Sequence, residues 1–168
     1  MADLPSGTVT FLITDIEGST KRLSSSASAT PRTLGEHRRF LREAFTRHGG
    51  VEVGTEGDAF LYALARARDA VAAAADAQRA LVEGEARTRM GIHTGESTLT
   101  EEGCVGLTLH RGARIAAAGH GGQVLVSLAT RDLLPEALDG LTLRDLGEHR
   151  LKDLSQPQSL YQLVGEGL

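Results

Sequence analysis

The order of five segments constrains this chain more than any other feature. Residues 8–14 (TVTFLIT) are β-branched and aromatic and read as a buried strand. After a small polar loop at 24–30 (SSSASAT), Leu34, Leu41, Ala44, Phe45 and His48 recur at helical spacing until Gly49-Gly50 stop the helix. Residues 51–64 (VEVGTEGDAFLYAL) read as two short strands around a tight turn, Gly54-Thr55-Glu56-Gly57-Asp58. An alanine-rich run from Arg66 to Val82 then lines Ala67, Val71, Ala74, Gln78 and Leu81 along one helix face, and Arg87 to Gly95 supplies a strand. Strand, helix, hairpin, helix, strand is the split βαβ order of a ferredoxin-like βαββαβ core, so the expected fold is α+β, helices against a mainly antiparallel sheet. C-terminal α/β elements extend it. They are a Gly- and Glu-containing loop after Gly95, a helix over Leu107–Ala118, a strand from Val124 to Ser127, and two strand-like pieces around a polar turn with Pro157.

The 168 residues suit a single domain, with its core over about residues 8–164. Eighteen basic against 22 acidic residues give a net charge of −4, which argues against nucleic acid or an anionic membrane as the main partner. Aromatic residues make up only 4% and there is no Trp, which limits base stacking on an exposed sheet. The single Cys104 excludes an intrachain disulfide framework and Cys-based zinc clusters and fits a reducing cytosol. No apolar stretch approaches the ~20 residues that span a bilayer, and MADLPSG has no signal-peptide layout, so a cytoplasmic location is expected. Neither a Gly-x-Ser-x-Gly elbow, a His-Glu-x-x-His pair nor a P-loop occurs.

Asp15 follows the first strand and precedes Glu17-Gly18-Ser19-Thr20, a small-residue turn whose free N–H groups can hold phosphate oxygens. Asp58 falls at the hairpin. If the two strands are neighbours, the two carboxylates converge and can share hard divalent cations, Mg²⁺ or Mn²⁺. Two metals and a phosphate cradle suit phosphoryl chemistry. The same residues also read as a helix cap and a turn aspartate, the ordinary use of Asp in such places, and spacing leaves both readings open.

Residues 11–20 (FLITDIEGST) resemble the strand-turn signature of class III adenylate and guanylate cyclases, and residues 54–60 (GTEGDAF) resemble their second metal hairpin. Residues 90–96 (MGIHTGE) and Gly106 through Arg114 resemble two further blocks in the same order, so the likeness covers about Thr8 to Val164. The resemblance implies the class III cyclase fold, with Asp15 and Asp58 binding two divalent metals and the backbone of Ile16 as a further ligand. It implies a nucleoside triphosphate substrate and a homodimer whose active sites lie at the interface. His110 and Arg114, four apart, share one helix face. By resemblance Arg114 stabilises charge on the phosphates, and His110 stands where the family usually has a ribose-orienting asparagine. Lys152 stands where the family carries a basic residue for the triphosphate. The base-reading lysine and aspartate of purine cyclases are replaced by Gly54 and Gly103. The resemblance therefore implies a nucleotidyl cyclase that makes a 3′,5′-cyclic nucleotide and pyrophosphate. The alternative is a catalytically silent cyclase-homology domain acting as a dimerising nucleotide-binding or signalling module.

Overall fold

The computed structural model describes residues 7–16, 31–56, 59–81, 87–100, 103–105 and 107–168. The expected α+β order is the order found. Strand β1 (Gly7–Ile16) is followed by helix α1 (Pro31–Arg47), the hairpin strands β2 (Val51–Glu56) and β3 (Ala59–Leu64), helix α2 (Ala67–Leu81) and strand β4 (Thr88–Thr100). Then come β5 (Gly103–Val105), α3 (Leu107–Ala118), β6 (Val124–Ser127), the single-turn α4 (Leu128–Arg131), β7 (Thr142–His149) and β8 (Gln158–Val164). The sheet runs β2-β3-β1-β4-β6-β8-β7, with β5 paired to β4 off this path. Every pairing is antiparallel except β4 with β6.

Alternation along β1 sorts the core into two layers, because successive side chains point to opposite faces of a strand. Leu12 joins the larger cluster with Leu41 and Phe45 of α1, Val71 and Ala74 of α2, and Tyr62, Leu64, Met90 and Ile92 of the sheet. Val9, Phe11 and Ile13 face the other way and pack with Ala63 and with Ala116 of α3. Helices α1 and α2 therefore cover one face of the sheet and α3 the other. All five residues expected on the inner face of α2, Ala67, Val71, Ala74, Gln78 and Leu81, are buried.

Helix α1 ends where the paired glycines require. Gly49 takes φ 84°, its N–H donates to the Thr46 carbonyl over 3.0 Å, and the Gly50 N–H donates to the Phe45 carbonyl over 2.8 Å. This is the Schellman arrangement, which needs a left-handed residue that glycine adopts without a Cβ penalty. His48 lies in the turn after the helix rather than on it.

Two expectations need correction. Gly54, Thr55 and Glu56 belong to β2, paired with Leu61, Phe60 and Ala59, so the hairpin turn is narrower than the five residues expected. A glycine at 54 reads as turn punctuation, yet the strand accommodates it at a register shift between Glu52 and Gly54. Strand β4 likewise runs past Gly95 to Thr100, where a loop was expected, because Thr98, Leu99 and Thr100 find partners in β5. The sequence pattern also passed over α4, whose N-cap Ser127 accepts from the Thr130 N–H.

Candidate active site

Asp15 is the last residue but one of β1, opposite Arg89 on β4. Its carboxylate is about a quarter to a third exposed and is ion-paired with the Arg89 guanidinium, whose other arm donates to the Ala117 carbonyl of α3 over 3.3 Å. The Nε of Arg89 is buried with no hydrogen-bond partner. Arg89 thus joins the acid to the C-terminal end of α3, a link that motif spacing does not reveal because it spans 74 positions and depends on strand register.

Ile16 closes β1 beside Asp15, buried and paired with Thr88. Asp58 and the Gly18-Ser19-Thr20 turn lie outside the described residues, as does the 24–30 loop. The Asp15 carboxylate supplies hard, partly buried oxygens, the donor chemistry that Mg²⁺ or Mn²⁺ prefers, and here they are paired with Arg89. Among the described residues no group of three His, Cys, Asp or Glu side chains converges.

Helix α3 carries His110 and Arg114 and lies close to β1 and β4, the strands that carry Asp15 and Arg89. A Cβ on Gly91 of β4 would come within 2.6 Å of the Ala116 backbone nitrogen, and one on Gly95 within 2.8 Å of the Thr108 hydroxyl. From the helix side, a Cβ on Gly112 would meet the Ile13 Cδ1 at 2.5 Å. Three glycines therefore set the height of α3 on β1 and β4. Below it, His93 is buried and engages Ser127 through Nδ1 at 2.8 Å. The contact continues through Ser127–Thr130 at 3.1 Å, Thr130–Thr94 at 2.9 Å and Thr94–Thr10 at 2.9 Å, tying β1, β4, β6 and α4 together. Burial, helped by the nearby Arg111 charge, pushes the His93 pKa down to about 4, so it is neutral at pH 7.

Arg114 is half-buried. One terminal nitrogen donates to the Asp153 carboxylate over 2.6 Å, while its Nε is buried without a partner. Lys152 is exposed in the adjoining turn, Leu151–Leu154, next to the Asp153 that pairs with Arg114. His110 is half-buried on the same helix. Gly54 sits in β2 with open space around it, a Cβ there meeting only the Leu61 Cδ1 at 3.8 Å, and Gly103 starts β5 opposite Thr100. A separate cavity of about 620 Å³ between α2 and residues 135–141 is lined by His48, Asp76, Arg79 and Leu138 and includes neither Asp15, Arg114 nor Lys152.

Near the end of β1 stands the Asp15 carboxylate, and Arg114 lies on the helix packed against β1 and β4. Residues 2–165 match the family described as the adenylate and guanylate cyclase catalytic domain, and the chain belongs to that family. It is similar to an uncharacterised protein of Mycobacterium tuberculosis, 41% identical over 162 residues, which cover 95% of this chain and 56% of the relative. The chain thus spans about half the length of the curated relatives it matches. Among solved structures, adenylate cyclases from Trypanosoma brucei in their monomeric state superpose with a TM-score of 0.85 at 27% identity, covering 96% of this chain and 91% of theirs. The adenylyl cyclase CyaB from P. aeruginosa shares the fold, with a TM-score of 0.79 at 21% identity and 94% of each chain covered.

Proposed function

We propose that the chain is a nucleotidyl cyclase domain that works as a homodimer. The observation that carries this reading is the cyclase-family match across residues 2–165; Asp15 and Arg114 stand where the sequence resemblance puts a metal-binding aspartate and a phosphate-facing arginine. In the reaction the ribose 3′-hydroxyl of a nucleoside triphosphate attacks the α-phosphorus. The new O3′–P bond forms as the bond to the bridging oxygen of the β-phosphate breaks, pyrophosphate leaves with that electron pair, and the hydroxyl proton passes to solvent. Asp15, Asp58 and the Ile16 backbone would hold two divalent cations, which would supply Lewis-acid activation of the hydroxyl. Gly18, Ser19 and Thr20, outside the described residues, are the small-residue segment that would serve as the phosphate cradle. Arg114 of the second copy offers a planar, permanently charged donor to the phosphate charge that develops in the transition state, and Lys152 adds a point charge for the triphosphate. His110 offers the ribose one ring N–H in place of an amide.

A second reading, a silent cyclase-homology module, draws support from Gly54 and Gly103, where the base-reading side chains are gone. The two part in one experiment. The purified chain is incubated with each of the four ribonucleoside triphosphates and Mn²⁺, and products are read by mass spectrometry. Cyclic nucleotide from any of them, lost in Asp15→Ala, supports the cyclase. No product from all four leaves the module reading.

A further inference from the structure

Among the described residues, only Asp139 and Asp153 take positive φ without being glycine. Asp139, at φ 50°, precedes Gly140 in the two-residue turn between the bridged Leu138 and Leu141, where Asp-Gly is the expected pair. Asp153 has no such excuse. At φ 65° it is the third residue of the turn closed by the Leu154 N–H on the Leu151 carbonyl over 3.2 Å, the position where a turn of this kind calls for glycine or asparagine. A carboxylate stands there instead, and it reaches the Arg114 guanidinium at 2.6 Å.

The rest of the turn is fastened to the same helix. Leu151 packs with Ile115, the neighbour of Arg114, and with Leu125 and Leu160, while Leu154 flanks the cluster. The apolar contact fixes the turn against α3, and the ion pair fixes the direction of the arginine. The partnerless Arg114 Nε then has a meaning. A buried donor with no acceptor is costly unless a ligand completes it, and a guanidinium held by one arm keeps its others for an oxyanion.

We propose that Asp153 is a positioning residue. Its carboxylate couples Arg114 to the Lys152 turn, so the two cations meet the triphosphate as one preset unit, with the Arg114 Nε reserved for a phosphate oxygen. This rests on the cyclase reading for the substrate but not for the unit itself.

The test compares Asp153→Gly, which suits the backbone and removes the carboxylate, with Asp153→Asn, which keeps a left-handed-tolerant acceptor without the charge. Two signals are followed: cyclic-nucleotide formation with Mn²⁺, and the Arg114 ¹⁵Nε–¹H resonance, assigned by its loss in Arg114→Lys, as inorganic tripolyphosphate is added. Asp153→Gly should melt at or above the wild-type temperature yet lose about tenfold in kcat, the scale of a misplaced catalytic group, with Asp153→Asn in between. The wild-type Nε resonance should shift on adding tripolyphosphate, and the shift should vanish in Asp153→Gly. Turnover in Asp153→Gly equal to or above wild type, or a wild-type resonance that ignores tripolyphosphate, overturns the proposal. A wild type that turns over no triphosphate but shows the Asp153-dependent shift overturns the cyclase reading and leaves the unit standing. If Asp153→Gly fails to fold, Asp153→Asn carries both readings: an undiminished kcat with an undiminished shift overturns the proposal.

Discussion

Two sets of positions in this chain have had opposite fates. Those the proposed function assigns to the reaction, Asp15 and Arg114, are built into the fold: Asp15, near the end of β1, is paired with Arg89, and Arg114 is clamped by Asp153. Those assigned to reading the base, Gly54 and Gly103, carry no side chain, and both stand in outlying strands of the sheet. On the proposed function, the difference teaches that the two tasks are separable in this fold. Reactive charges need a rigid frame to hold them at fixed geometry. Base selection needs only polar groups projecting from a peripheral strand, and these can be lost with no damage to the core.

The sharpest way to break the comparison is to remove the reactive side. Arg114→Ala should lower kcat about 10³-fold, the scale of a transition-state arginine, while leaving the melting temperature nearly unchanged. If each active site joins Asp15 of one copy to Arg114 of the other, equal parts of Asp15→Ala and Arg114→Ala chains should recover about a quarter of wild-type activity, since half the random dimers contain one intact site of two. Mixtures as inactive as their components would end the shared-site arrangement.

Restoring the recognition side comes next. Because a Cβ on Gly54 meets nothing closer than 3.8 Å among the described residues, Gly54→Lys starts from an ordinary van der Waals contact. Combined with Gly103→Asp, it should raise the ratio of purine to pyrimidine triphosphate kcat/KM by about 10²-fold, part of what a base edge with restored hydrogen bonds can supply. A ratio that stays put would mean that other residues read the base, or that these strands lie away from it.

How much of this was open to the sequence depends on the range of the contact involved. The bounds of α3 and the inner face of α2 follow from local periodicity, and Asp15 at a strand end follows from a run of β-branched residues. The Gly54 segment misled because glycine signals a turn locally, while here the pairing of Thr55 with Phe60 keeps it in a strand. The β4 extension misled for a similar reason, since polar Ser97, Thr98 and Thr100 look like loop until β5 pairs with them. Arg89 and Asp153, the partners of the two reactive charges, carried no signal at all. One is set by strand register and the other by a turn meeting a helix 39 positions away.

The frame itself can be loosened from beneath. Gly91→Ala would place a methyl against the Ala116 backbone, and backbone cannot step aside as a side-chain tip can. Overpacking of this kind costs about 1–3 kcal/mol, and here it lifts the helix that carries Arg114 and His110, so activity should fall further than stability alone explains. Urea unfolding and turnover measured on the same sample separate the two. Equal stability would show that α3 sits less tightly than the close approach requires.

The smallest effect belongs to the buried network that ties β1, β4, β6 and α4 together. His93 titrates near 4 when folded against an ordinary 6.5, so the unfolded chain binds the proton first as pH falls. The stability contributed by the neutral ring is fully present above about pH 6.5 and is lost progressively toward pH 4. By about pH 5 the loss should reach about 2 kcal/mol. His93→Gln keeps a polar partner for Ser127 and has nothing to protonate, so the wild-type advantage over it should shrink by that amount between pH 7.5 and about pH 5 in urea titrations. An advantage constant across that range would mean that the ring is hydrated enough to titrate normally, and that the Ser127–Thr130–Thr94–Thr10 chain does not need it neutral.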